Sequence, residues 1–364
     1  MEIAEIPAPP FAEDARAAHV ESGFRDAGLS RVERDGAGNV LGLLPGEDSL
    51  PPVLLSAHLD TVFPAGTDSS IRLIGNCFTG PSIMDDSRGL AALLAVARSV
   101  VLGGARPHHP LLFVGTVGEE GPGDLRGVKH LFGENGAARA CHGFISLDGA
   151  GLGRIVVRGI GSIRLRFRLT GPGGHSWSDW GEPNPLHLLA RGVDALTKLP
   201  LPATPRTTLT VARWGGGRSI NSIPDEGWIE VDLRSEDGAL LADLERRVRR
   251  HMQEATQPEG PGSLRLSVEE IGRRPAGATE AHAPLVVAAL AASRVIGTEP
   301  LLSSSSTDAN IPMSLGIPAL TMGAGGEGGR AHTMDEWYRN TRGPEGVVRA
   351  LLTCLAVAGV SPEP

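Results

Sequence analysis

Cysteine is scarce in this sequence: Cys77, Cys141 and Cys354 are the only three, far apart and without a CxxC pair. That spacing excludes a disulfide framework and a cysteine-based zinc site. Long apolar runs are absent too, and none approaches the ~18–20 residues that a membrane-spanning helix needs. The opening segment MEIAEIPAPPF has neither the basic flank nor the apolar stretch of a secretory signal, so a cytoplasmic protein with no membrane partner is expected. Positive charge is in deficit. The formal net charge is −8, whereas nucleic-acid binding needs a basic surface to meet phosphates, so no nucleic-acid partner is expected. There is no GxSxG elbow and no HExxH helix, which sets aside a serine hydrolase of that type and a one-zinc helical protease. The glycines between Gly323 and Gly329 lack the GK[ST] of a phosphate loop.

What is present suits a two-domain globular enzyme or binding protein. The chain has 364 residues, 41% of them hydrophobic and 21% charged, enough to bury real cores. PVLLSAHLD, PLLFVGTVGEE, CHGFISLDG and PALTMG are short continuous apolar runs, the pattern of strands buried on both faces. Helical patterns alternate with them, notably FAEDARAAHVESGFRDAGL and LAALLAVARSVVL, so parallel βαβ units are expected. Near residue 154 the texture changes to alternating strands such as RIVVRGIGSIRLRFRLTG, with Arg164, Arg166 and Arg168 on one solvated face. The sequence therefore predicts an α/β domain with a mostly parallel sheet from residues 1–153 and 273–364, interrupted by an α+β domain over 154–272.

The chemistry-bearing residues fall where those buried strands end. His58 and Asp60 close the first, Glu119 and Glu120 the second, and Asp148 the third. Asp85 and Asp86 precede the helix at Gly89, and His332 follows the last strand through a glycine-rich loop. In open α/β sheets, sites form outside the carboxyl ends of the strands, which gathers these segments onto one rim. Carboxylates crowded there repel and raise each other's pKa unless a cation intervenes. Imidazole with carboxylate suits zinc, with manganese or cobalt as substitutes. Each motif alone is weak, since a Glu-Glu pair is usually a solvated loop and a strand-end histidine usually structural. Five at successive strand ends are another matter.

The segments LLSAHLDTV, GPSIMDDSRG, GTVGEEG, SLDG and AHT resemble, in order, the five metal-site motifs of the M20 metallopeptidase family. GPGGHSW, NSIPDE, VDLRS and SSTDANIP extend the resemblance over essentially the whole chain. It implies a zinc-peptidase-like catalytic domain that holds two divalent metals. His58 and Asp148 would bind one, Glu120 and His332 the other, and Asp85 would bridge, with a cis peptide between Asp85 and Asp86. Asp60 would orient the imidazole of His58. Glu119 would be the general base. The inserted domain would be a lid that also forms a homodimer. His175 would stabilise the oxyanion, against the plainer reading of a histidine that caps a loop. Asn221 and Arg234 would bind the substrate's carboxylate, with backbone N–H groups around Gly326 as an anion nest.

The implied activity is cleavage of an amide bond beside a free carboxylate, in a small peptide or in an N-acyl amino acid. A catalytically silent binding protein on the same scaffold is the third reading. The sequence departs from the family's pattern in that a helix preceding IPAPPF is expected to be short or absent, and in Arg88, where lysine is commoner.

Overall fold

The computed structural model describes residues 1–47, 49–257 and 264–361. The chain divides into two compact units, Met1–Gly159 with Gly277–Pro364, and Ile160–Ala276. The division falls a few residues later than 153/154 and 272/273. The strand Arg154–Gly159, whose alternating pattern reads as part of the insertion, is paired into the first unit's sheet.

That sheet has nine strands. Its centre is parallel, in the spatial order Leu111–Thr116, Val53–His58, Gly143–Leu147, Ala319–Met322. Antiparallel strands flank it, Val40–Leu44 with Ser30–Arg34 on one side and Arg154–Gly159 on the other. Every residue of the four central strands is buried, which is why each reads as an unbroken apolar run rather than an alternating one. Alternate side chains supply two cores. Val53, Leu55, Leu111 and Phe113 pack against the helices Asp14–Asp26, Ser87–Leu102, Pro284–Val295 and Gly343–Ala358. Leu54, Leu112 and Val114 face the shorter helices Arg126–Leu131 and Asn310–Ser314. Truncating a ring such as Phe24, fully buried against Phe113, would cost about 3–5 kcal/mol.

The second unit is an antiparallel sheet in the order Thr207–Gly216, Glu226–Ser235, Gly161–Thr170, Arg265–Arg274. Ile163, Leu165, Phe167 and Leu169 point to the helices Pro185–Thr197 and Gly238–Ala255. The opposite face holds Arg164, Arg166 and Arg168. They are not simply solvated: they pair across the sheet with Asp232, Glu230 and Glu226. Among the described residues, no helix is long and apolar enough to cross a membrane.

Candidate active site

The four parallel strands all end at one edge of the sheet, and the strand-end residues converge there. His58 is the last residue of its strand. Beyond Thr116 the chain turns through Gly118, at φ +67°, where an added Cβ would meet the Arg126 side chain at 2.6 Å. That turn brings the following glutamates back over the rim. Among the described residues, three groups have donor atoms within 4.8 Å of one another: His58, Asp85 and Asp148; Asp85, Glu120 and His332; and His58, Glu119 and Glu120.

Asp85 belongs to two of these groups. Its Oδ1 lies 2.9 Å from His58 Nε2 and its Oδ2 3.2 Å from His332 Nε2. Glu120 Oε1 lies 2.9 Å from the same His332 nitrogen. The Asp85–Asp86 peptide is cis. Thus the five residues expected as ligands, and Glu119, stand together.

The electrostatics of this cluster are out of balance. Burial and the neighbouring Asp85 push Asp148 up to about 7, against the partial relief of His58. Burial likewise holds Asp86 well above the usual carboxylate range. Burial acts against charging Asp85 too, but His332 and His58 outweigh it and hold that carboxyl low. Burial also opposes charging His58, yet Asp60 and Asp85 prevail and raise it. His332 is raised to about 10 by Asp85 and Glu120. Carboxylates that stay protonated and imidazoles that stay charged are the response to too much negative charge in a dry site. A divalent cation at each group sharing Asp85 would remove that imbalance. The donor set therefore fits metal, with nitrogen and oxygen ligands of the zinc type.

Asp60 does more than expected, and partly something different. His58 Nδ1 faces the Asp60 main-chain oxygen at 3.0 Å, while the carboxylate Oδ1 stands off at 3.7 Å. The carboxylate accepts the backbone N–H groups of Glu119 and Glu120, both at 2.8 Å. Asp60 thereby fixes both glutamates as well as the imidazole.

Several further residues hold the rim. Asp86 accepts the N–H groups of His58, Gly89 and Gly149 at 3.0–3.1 Å. Arg16, fully buried, donates to the carbonyls of Ile6 and Leu59 and to Ser82 Oγ. Arg88 donates to the carbonyls of Ala324 and Gly343, and Arg349 to those of Leu152 and Gly323. Glu336, completely buried, accepts from Met84, Asp85 and His332. The signal for Glu336 was its place four residues after His332. For Arg88 it was a lone cation beside the shared aspartate.

A cavity of about 350 Å³ opens beside Asp148. Arg154, Ser304, Ser305, Thr307 and Thr321 give it a polar lining, and its size suits a small ligand.

The expected substrate residues are less tightly grouped. Gly326 is buried under the Tyr338 ring, 2.3 Å from where a Cβ would stand, and has φ +81°. Beside it, Ala324 and Gly325 already donate their N–H groups to the carbonyls of Gly149 and Gly151, so those two serve no anion nest. In the second unit, His175 Nδ1 accepts the N–H groups of Trp177 and Ser178. This is the loop-capping geometry, and it leaves Nε2 to carry the proton. Asn221 is close by, its carbonyl accepting the Ser176 N–H at 3.0 Å. Arg234 is not. It lies eight residues along the extended strand from Glu226, roughly 26 Å at 3.3 Å per residue, and its Nε donates to Asp232 at 2.7 Å.

Comparison with known proteins decides the family. Residues 54–356 match Peptidase family M20/M25/M40. The chain belongs to that family. It is accordingly a hydrolase of the M20 metallopeptidase type. YqjE, an uncharacterised protein of Bacillus subtilis, is 27% identical over 328 residues, which cover 86% of this chain and 85% of YqjE. A succinyl-diaminopimelate desuccinylase of Corynebacterium glutamicum is 25% identical over 344 residues, covering 92% and 89%. Among solved structures, a Staphylococcus aureus tripeptidase superposes with a TM-score of 0.79 at 21% identity, over 98% of this chain and 96% of that one, which shows a shared M20 fold.

Proposed function

We propose that this M20 protein hydrolyses an amide bond next to a free carboxylate in a small peptide, with two divalent metals and Glu119 as general base. Asp85 carries the reading: its two oxygens face two imidazoles at 2.9 and 3.2 Å, so one carboxylate serves two donor groups. His58 and Asp148 would hold one metal, Glu120 and His332 the other, and Asp85 both. Zinc suits these donors, with cobalt or manganese as substitutes. Bound there, such ions polarise the scissile carbonyl and acidify water.

With those five as ligands, Glu119 is the carboxylate for proton transfer. It takes a proton from the attacking water and returns it to the leaving amine nitrogen. Asp60 fixes its backbone, which supports a defined reach. His175, with its proton kept on Nε2, is suited to donate to the developing oxyanion. Asn221 beside it would meet the substrate's carboxylate. The exposed side chains of Trp177, Trp180 and Ile220 on the same unit support the expected homodimer through this domain.

A second reading, an N-acyl-amino-acid deacylase, draws support from the desuccinylase relative. The test is metal content together with hydrolysis of dipeptides, tripeptides and N-acyl amino acids, with and without added zinc. Two metals per chain with peptide cleavage supports the first reading. Cleavage of acyl amino acids alone moves it to the second. No hydrolysis of any of them with zinc present overturns both.

A further inference from the structure

Glu336 joins the two segments on which the metal reading depends. Its Oε1 accepts the backbone N–H groups of Met84 at 2.7 Å and Asp85 at 2.9 Å, from residues 252 and 251 positions earlier in the chain. Its Oε2 accepts the N–H of His332 at 3.3 Å. The side chain has no exposed surface. Its backbone is anchored as well: the Glu336 N–H donates to Thr333 at 3.1 Å, and its carbonyl accepts the Gly80 N–H at 2.9 Å. His332 has φ +66°, a left-handed conformation uncommon for a histidine, so its loop must be held in place by its surroundings.

We propose that Glu336 is a positioning residue for the dinuclear centre, and that its two oxygens have separate tasks. Oε1 fixes Asp85, the carboxylate common to both metal groups. Oε2 fixes His332, which belongs to only one. The inference rests on the reading of Asp85, His58, Asp148, Glu120 and His332 as ligands of two metals. It goes beyond that reading by assigning the spacing of Asp85 and His332, 3.2 Å between Oδ2 and Nε2, to a residue that touches neither metal.

The separation of tasks makes the two substitutions differ. Glutamine keeps one acceptor oxygen, which can stay on the Met84 and Asp85 donors. Its amide NH₂ then meets the His332 N–H donor to donor. E336Q should therefore loosen the metal held by Glu120 and His332 and spare its neighbour. E336A removes both acceptors and should loosen both. E336D keeps both oxygens but withdraws them by one methylene, and should weaken both less than alanine does. Partners of metal ligands typically govern affinity by 10–100-fold.

The experiment is titration of the metal-free, full-length protein with zinc against a chromophoric competitor, with thermal unfolding of each metal-free variant alongside. Wild type should take up two zinc ions. E336Q should bind one within about 3-fold of wild type and the other roughly 10–100-fold more weakly. H332A should reproduce that split. If E336Q binds both ions like wild type, or loses both equally while E336D does the same, the separation of tasks is wrong. A residue that merely stabilised the fold would lower the unfolding temperature and leave both affinities in step. Should E336A fail to fold, E336Q and E336D still decide the matter. If wild type itself takes up fewer than two zinc ions, the two-metal reading fails first, and the proposal with it.

Discussion

Asp86 Oδ2 accepts the backbone N–H of His58 at 3.1 Å. The residue after the shared aspartate thus holds the end of the central strand. Its Oδ1 accepts Gly89 at 3.0 Å, capping the following helix, and Gly149 at 3.1 Å, beyond Asp148. One fully buried side chain therefore registers three segments of the rim. Each hydrogen bond to such a group is worth about 0.5–1.5 kcal/mol, and an orphaned buried donor costs about 1–3. Asp86→Ala should therefore destabilise the metal-free protein by about 3 kcal/mol or more, measured by urea unfolding. Asp86→Asn, which retains an acceptor oxygen, should lose less. An alanine variant within about 0.5 kcal/mol of wild type would show that the three donors find other partners.

Glu119→Gln tests the base. The amide is nearly the same size and cannot take a proton from water. General-base catalysis typically contributes 10²–10⁴-fold, so kcat should fall by about that factor while metal content stays at two per chain. Because Asp60 contacts the backbone of Glu119 rather than its carboxylate, the substitution should leave the turn intact. A variant with near-normal kcat removes Glu119 from proton transfer.

Much of this centre follows from the sequence because burial writes itself into composition. The strands ending at His58, Thr116 and Leu147 are buried at every position, so they appear as apolar runs, and strand topology then places their ends together. The hydrogen bonds that Glu336 and Asp86 accept leave no such trace. Their partners are main-chain N–H groups of distant segments, and a backbone donor has no sequence signature. Asp60 is legible as a partner of His58, but for the same reason its bonds to the Glu119 and Glu120 N–H groups are not. The division falls a few residues after 154 because Arg154–Gly159, only half covered like a strand of the insertion, pairs in the larger sheet.

Asp85→Ala tests the shared ligand. Removing it takes one donor from each of two groups and leaves His58, Asp148, Glu120 and His332 divided between two incomplete sites. Zinc content after dialysis should fall from two per chain to below one, and activity with it. Retention of two zinc ions would mean that Asp85 bridges nothing, and that its place between the imidazoles is an ordinary ion-pair arrangement.

The protonation of the cluster predicts how metal and pH act together. Asp148 is raised from its ordinary 3.8 to about 7, chiefly by burial, and His332 from 6.5 to about 10, by Asp85 and Glu120. Both groups hold a proton more tightly folded than unfolded. Such a group contributes its full stability below its unfolded pKa and loses it as pH rises through the folded one. The metal-free protein should therefore lose stability from about pH 4 to 7 as Asp148 ionises, and further toward pH 10 as His332 discharges. The share from His332 is reduced by solvent, because its side chain is 52% exposed. Asp85, held low, acts only in acid and lies outside this range. Metal binding requires the same groups without their protons, so it becomes more favourable over the same interval. The gap between the unfolding temperatures with zinc and with chelator should therefore widen from pH 5 to pH 8. A gap that stayed constant would show that these protons are not the ones metal displaces, and one that narrowed would reverse the sign of the linkage.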